Sequence, residues 1–268
     1  KYAEKESFVS SFVGEAKLVA NLVHQNIVQI HHLGRHGDGY YIAMEYIDGI
    51  NLFELMVMHA RLGRIIPIEF STFVVSRICR GLEYAHGKTD ENGKPLGLVH
   101  RDVSPSNIMI TSEGEVKLTD FGVAKAAQFM QVEEDDLVGS VEYMSPEQAA
   151  CLPVDGRSDI YSLGLVYYEL LTGVRVFMCE TDGIDAGLAQ VKEGVIPDIL
   201  AQKPDLHPEI ADIVMRCLRK NPDERFLTAG ELGAAMENVM YSKGLGPTIV
   251  SLSKYVTSLR NELAGLPS

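Results

Sequence analysis

The stretch "LVHRDVSPSNIMI", residues 98–110, sets polar side chains between apolar flanks, and two of them, Asp102 and Asn107, lie five positions apart. Pro105 between them keeps the segment from continuing as helix, so both side chains belong to one loop and can face one cleft. Eighteen positions after Asp102 comes "TDFGVAK", where Asp120 ends a strand-like run and Gly122 frees the backbone to turn. Two carboxylates and an amide brought together make an oxygen-rich set. Such a set suits Mg²⁺, a hard cation commonly held by one or two carboxylates together with substrate phosphates.

Elements that could position these groups are legible in the apolar spacing. "SFVSSFVGEAKLVANLV" places Phe8, Phe12, Val19 and Val23 on one helical stripe, with the Glu15 carboxylate on the same side. "NIVQIHHLG" and "YYIAMEYI" are β-branched and aromatic runs joined across "RHGDG", which predicts an antiparallel pair. Helical spacing begins at "NLFELMVMHARLG" and "IEFSTFVVSRICRGLEYAH". Turn-rich "GKTDENGKPLG" interrupts it, and short extended pieces are expected around "LVH", "IMI" and "EVKLTD". Helices resume at "RSDIYSLGLVYYELLTG", "PEIADIVMRCLRK" and "TAGELGAAMENVM". The fold class is therefore α+β, with a small part-β region ahead of a larger helical one and the chemistry in the loops between.

Bulk composition agrees with a packed protein. The chain has 268 residues, 46% hydrophobic and 23% charged, enough for one large domain or two lobes. A formal net charge of −13 argues against nucleic acid or an anionic membrane as partner. Cys79, Cys151, Cys179 and Cys217 lie far apart with no CxxC pair, which reads as buried free thiols in a reducing compartment. The longest apolar run, "SLGLVYYELLTGV", is too short for a bilayer span, and the start shows no leader pattern, so a cytoplasmic protein without a membrane segment is expected.

Four ordered motifs then carry a resemblance. "MEYIDG", "HRDVSPSN", "DFG" and "MSPE" resemble the hinge, catalytic loop, magnesium loop and activation-segment end of the protein kinase family, and phrases such as "YMSPEQA" look most like its bacterial serine/threonine members. The resemblance covers about Glu15 to Met240. It implies a bilobal fold divided into a partial N-lobe at 1–47, a helical C-lobe at 48–240 and an extension at 241–268 that is either an extra helix or a linker. It also implies ATP and Mg²⁺ as cofactors and protein substrates with Ser/Thr acceptors. Asp102 would orient the attacking hydroxyl, and Asn107 and Asp120 would hold magnesium. The backbone of Glu45 and Ile47 would hold adenine, with Met44 as gatekeeper and Met109 as floor, although both methionines are equally ordinary as core residues. Glu147 and Arg225 resemble a buried ion pair, and Asp159 resembles the aspartate that braces the catalytic loop. His100, Phe121, Val19 and Ile30 resemble spine residues. Arg101 implies an anion on the activation segment that orders the loop, and Ser140 a hydroxyl beside the catalytic aspartate that favours Ser/Thr acceptors.

The chain departs from the pattern at three places. Ser104 stands where serine/threonine members carry a lysine that neutralises the γ-phosphate, so catalysis is expected to be reduced or differently organised. Between Phe121 and Gly139 there is no Ser, Thr or Tyr; "VEEDD" runs there instead, read either as a carboxylate substitute for phosphate at Arg101 or as a solvated acidic loop. No GxGxxG occurs, and Lys1, fourteen residues before Glu15, has no strand-like surroundings, so the first N-lobe strands are expected to be missing and Glu15 to await a partner. The leading reading is an ATP-dependent serine/threonine protein kinase. The alternatives are a catalytically impaired pseudokinase or scaffold that binds partners through the helical lobe, and a small-molecule phosphotransferase.

Overall fold

The computed structural model describes residues 19–36, 39–121, 141–178 and 184–265. Strands β1 (Ile30–His36) and β2 (Gly39–Met44) pair antiparallel with Ile30 opposite Met44, the hairpin expected from the sequence. A second sheet, in the order β3-β4-β5, is built from β3 (Gly49–Asn51), β4 (Ile108–Thr111) and β5 (Val116–Leu118). Its inward residues Ile108, Ile110, Val116 and Leu118 are buried. The two regions are stitched by the backbone: Val28 N–H donates to the Leu118 carbonyl, and Leu118 N–H donates to the Asn26 carbonyl, each at 2.9 Å.

Helices form the rest. They are α1 (Leu52–Arg61), α2 (Ile68–His86), α3 (Pro146–Ala149), α4 (Gly156–Thr172), α5 (Ile184–Glu193), α6 (Ile199–Gln202), α7 (Pro208–Cys217), α8 (Ala229–Ser242) and α9 (Ile249–Ala264). Asn51 starts α1 with a capping box that includes Glu54, which answers two of the backbone donors a helix start leaves open. The sequence of α4 has no polar face, and every residue from Ser158 to Thr172 is buried, so this helix forms the axis of the helical body. Asp155 caps its start, and Gly173, at φ 71°, ends it in the left-handed conformation that glycine adopts without steric cost. Where α4 crosses α7, a Cβ on Gly164 would lie 2.7 Å from the Cys217 Cβ, so only glycine permits the approach.

Several expectations need correcting. Residues 19–20 are helical but the chain then leaves the helix, so Val19 is buried while Val23 stands 69% exposed at the turn. "LVH" is not a strand; its residues lie in the irregular approach to the catalytic loop. Cys79 and Cys217 are buried thiols as expected, whereas Cys151 is exposed in the turn after α3. Phe8, Phe12, Glu15, Lys1, Gly122, the acidic run, Ser140 and Cys179 fall outside the described residues.

The extension after Met240 folds as helix α9. It buries Leu252, Val256 and Leu259 against the back of the molecule. Tyr255 stacks on Phe70 at 4.3 Å, and its hydroxyl lies 2.5 Å from His59 Nε2. Burial lowers the His59 pKa, and with Nδ1 donating to the Leu55 carbonyl, the neutral ring leaves Nε2 to accept from Tyr255. Arg64 pairs with Glu262 at 2.7 Å, and Arg260 donates to the Gly49 carbonyl at 3.2 Å, which brings the tail to the chain segment that follows β2.

Candidate active site

The catalytic-loop residues are placed by a buried aspartate. Asp159, in the first turn of α4, is fully buried; its Oδ2 accepts from His100 N–H at 2.8 Å and its Oδ1 from Arg101 N–H at 2.7 Å. His86, at the end of α2, reaches the same Oδ2 at 2.8 Å. Burial pushes the Asp159 carboxyl up, but the His86 hydrogen bond and charge, then His100 and the Arg101 N–H, outweigh it and leave the group below the usual range. The loop is held in turn: Arg101 sits at φ 71°, a left-handed backbone rare for non-glycine residues, and its carbonyl accepts from Gln148 Nε2 at 2.8 Å.

This bracing brings the three expected residues together. Asn107 lies in a short 3₁₀ turn, Pro105–Asn107, and donates Nδ2 to both the Asp102 carbonyl and Asp102 Oδ2, each at 2.8 Å. With its donors so engaged, the acceptor Oδ1 is the atom Asn107 offers to a cation. Thr119 N–H donates to the Asn107 carbonyl at 2.9 Å and His100 Nε2 meets the Thr119 carbonyl at 2.8 Å, which ties the segment between β5 and Asp120 to the loop. Asp120 itself adopts φ 59°. Although its residue surface is exposed, the surrounding protein removes enough water to raise its carboxyl above the ordinary range; the His100 ring opposes this and the Asp102 carboxylate adds to it. Phe121 meets the His100 ring edge-on at 4.6 Å, and Ile30 packs half-buried against the same core as Val19. No group of three His, Cys, Asp or Glu able to hold a metal occurs among the described residues. The donor set is thus one carboxylate and one amide oxygen beside Asp102, which fits Mg²⁺ when phosphate oxygens complete the shell.

Ser104 is buried and its Oγ lies 3.0 Å from Ser106 Oγ, so the position two after Asp102 holds a hydroxyl pair and no cation. Arg101 Nε is buried without a hydrogen-bond partner among the described residues.

At the expected adenine site, Met44 is 40% exposed and Met109 half-buried on β4, so neither is a buried core residue. Glu45 N–H donates to the Gln29 carbonyl at 2.8 Å, which leaves only its carbonyl for a base, while Ile47 is half-buried. Sequence reasoning missed the Glu45 side chain, whose carboxylate meets Lys117 Nζ at 2.8 Å. Burial raises the Glu45 carboxyl, and the hydrogen bonds from Lys117 and the Gln29 N–H, with the Lys117 charge, bring it below the ordinary value. Lys117 is buried in a strand whose three residues are all buried, and a lysine in such a strand is itself the signal that a carboxylate must be near. His86 and Gln148 were likewise missed.

Farther out, Glu147 and Arg225 form the expected buried pair at 2.7 and 2.9 Å. Arg225 also donates to the carbonyls of Arg157, Arg219 and Lys220, and Ser158 Oγ donates to Glu147 at 2.6 Å. Burial works to raise Glu147, but the Arg225 and Ser158 hydrogen bonds hold it below its usual value.

The profile of the protein kinase domain family matches residues 1–235, and the chain belongs to this family. It is 39% identical over 234 residues to the tyrosine-protein kinase MasK of Myxococcus xanthus, covering 87% of this chain and 36% of that one. It is 34% identical over 244 residues to the serine/threonine-protein kinase PknB of Mycolicibacterium smegmatis, covering 88% of this chain and 37% of that one. The chain therefore spans little more than a third of these relatives. The crystal structure of the Mycobacterium tuberculosis PknI kinase domain is similar at TM-score 0.65 and 28% identity, covering 87% of this chain and 78% of that one. The small β region and larger helical body are those of a protein-kinase fold. Among the described residues no helix is long and apolar enough to cross a membrane.

Proposed function

We propose that this chain carries the catalytic machinery of an ATP-dependent protein kinase that transfers the γ-phosphate of Mg-ATP to Ser/Thr hydroxyls of protein substrates. The observation that carries the reading is the Asn107 amide donating to both the backbone carbonyl and Oδ2 of Asp102, with Asp120 tied to the same loop through Thr119. Asp102 orients the acceptor hydroxyl and takes its proton, while Asn107 Oδ1 and Asp120 hold the metal. When bound, Mg²⁺ would neutralise the phosphate oxygens and align them for transfer. The backbone after Met44 receives adenine, with Glu45 supplying its carbonyl and Ile47 its N–H, and Met109 faces the base from β4. ATP as donor places this catalytic region in the cytoplasm.

The name of the PknB relative supports Ser/Thr acceptors. A tyrosine acceptor is favoured by one observation, the name of the MasK relative. Incubation with Mg-ATP and a generic basic protein, followed by phosphoamino-acid analysis, separates them. Phosphoserine or phosphothreonine is expected. Phosphotyrosine alone would overturn the acceptor assignment, and no incorporation by the folded protein would overturn the activity.

A further inference from the structure

The Glu45–Lys117 ion pair lies between the two ends of the proposed nucleotide site. Glu45, the residue after β2, is held through its backbone and its carboxylate. Its N–H donates to the Gln29 carbonyl at 2.8 Å, and its Oε2 accepts from the Gln29 N–H at 3.2 Å. Lys117 Nζ reaches Oε1 at 2.8 Å and Oε2 at 3.1 Å. Lys117 belongs to β5 and is directly opposite Met109 in β4, which in turn is opposite Asn51 in β3. Residues paired in this way rise from the same face of a sheet, so the lysine stem runs beside the methionine assigned to the base. Asp120, assigned to the metal, follows Lys117 closely in the chain, and Leu118 between them is locked by its N–H to the Asn26 carbonyl and by its carbonyl to the Val28 N–H.

The Lys117 side chain is 10% exposed and that of Glu45 31%, so the pair is largely shielded from the screening that makes surface pairs contribute little. Stability alone does not explain it, because apolar side chains in place of a buried ion pair often leave a fold as stable or more so. What the pair adds is a fixed relation between two segments that belong to different sheets. Glu45 follows β2 of the first, and Asp120 follows β5 of the second. We infer that Lys117 is a positioning residue: through Glu45 it clamps the segment that receives adenine to the strand that leads to the metal-binding Asp120, and so sets the spacing that Mg-ATP must span. The clamp rests on the kinase reading, since the ligand that spans both ends is the nucleotide proposed there. Lys117 directs its charge at Glu45, so it acts on affinity for the whole nucleotide and not on the proton transfer at Asp102.

Calorimetric titration of the full chain with Mg-ATP and with adenosine tests the clamp, because adenosine meets the base end alone. Lys117→Met keeps the buried stem and removes the charge. Its Kd for Mg-ATP is expected to rise about tenfold through loss of a preorganised spacing, while its adenosine affinity stays within about twofold of the parent. Glu45→Gln, which retains an acceptor for the Gln29 N–H, should show the same split. The double variant should bind Mg-ATP no more weakly than Lys117→Met, because all three break one shared contact. Unchanged Mg-ATP affinity in folded Lys117→Met and Glu45→Gln, equal weakening of adenosine and Mg-ATP, or additive losses in the double variant would each overturn the clamp while the parent still binds nucleotide. Failure of the folded parent to bind Mg-ATP would instead overturn the nucleotide reading, and the clamp with it.

Discussion

Asn107 directs both amide hydrogens at Asp102, and that one side chain decides which atoms of the loop face a cation. Asp102→Asn removes the proton acceptor without changing size, and phosphoryl transfer is expected to fall by about 10²–10⁴-fold in kcat while the melting temperature stays close to that of the parent. Ser104→Lys restores a cation beside the phosphates, and steady-state kinetics should show kcat rising with KM for ATP little changed; a fall in kcat would mean that the hydroxyl pair with Ser106 is itself part of the working loop. For Asp159 the sign follows from a carboxyl held below its unfolded value. Its stabilisation is complete above the unfolded pKa of about 3.9 and is lost as pH falls through the lower folded value. Urea midpoints measured across the acid range should drop in the parent there, and Asp159→Asn, already weakened at neutral pH, should show a shallower acid limb.

At the scale of elements, the helices with strong apolar spacing were legible. "IEFSTFVVSRICRGLEYAH" is α2 residue for residue, and the absence of a polar face in "SDIYSLGLVYYELLTG" marks the buried axis α4. That Asp102 and Asn107 share one loop was legible because they are close in sequence and Pro105 excludes a continuing helix. What joins distant elements was not. The partner that Lys117 requires is 72 positions away in Glu45, and the Tyr255 contact that docks α9 is 196 positions from His59, so neither leaves a local pattern. Val23 was misassigned because its spacing continues a helix that the chain leaves three residues earlier. Two measurements belong here. Gly164→Ala pushes a methyl into Cys217 at the α4–α7 crossing and should cost about 1–3 kcal/mol in denaturant unfolding. Truncation before Pro247 removes α9 and uncovers the surface under Leu252, Val256 and Leu259, and a melting temperature lowered by several degrees is expected, whereas an unchanged one would mean that the tail does not dock.

Across the whole molecule, the two regions converge on a loop whose position depends on buried charges in the helical body. Asp159 fixes the backbone of His100 and Arg101, and the Glu147–Arg225 pair anchors α3, whose Gln148 holds the Arg101 carbonyl. Arg225→Met leaves Glu147 buried without its cation and should destabilise by about 3–5 kcal/mol, with activity lost in parallel because the same contacts place the loop. The central claim is that Asp102, Asn107 and Asp120 form a working phosphoryl-transfer site despite Ser104. Its most direct test is transfer of the γ-phosphate from Mg-ATP to a basic protein by the parent, Asp102→Asn and Asp120→Asn, with folding of each checked by circular dichroism. Transfer by the parent and near-complete loss in both variants are expected; transfer that persists in folded Asp102→Asn and Asp120→Asn, or none from the folded parent, would rule out this site as the seat of transfer.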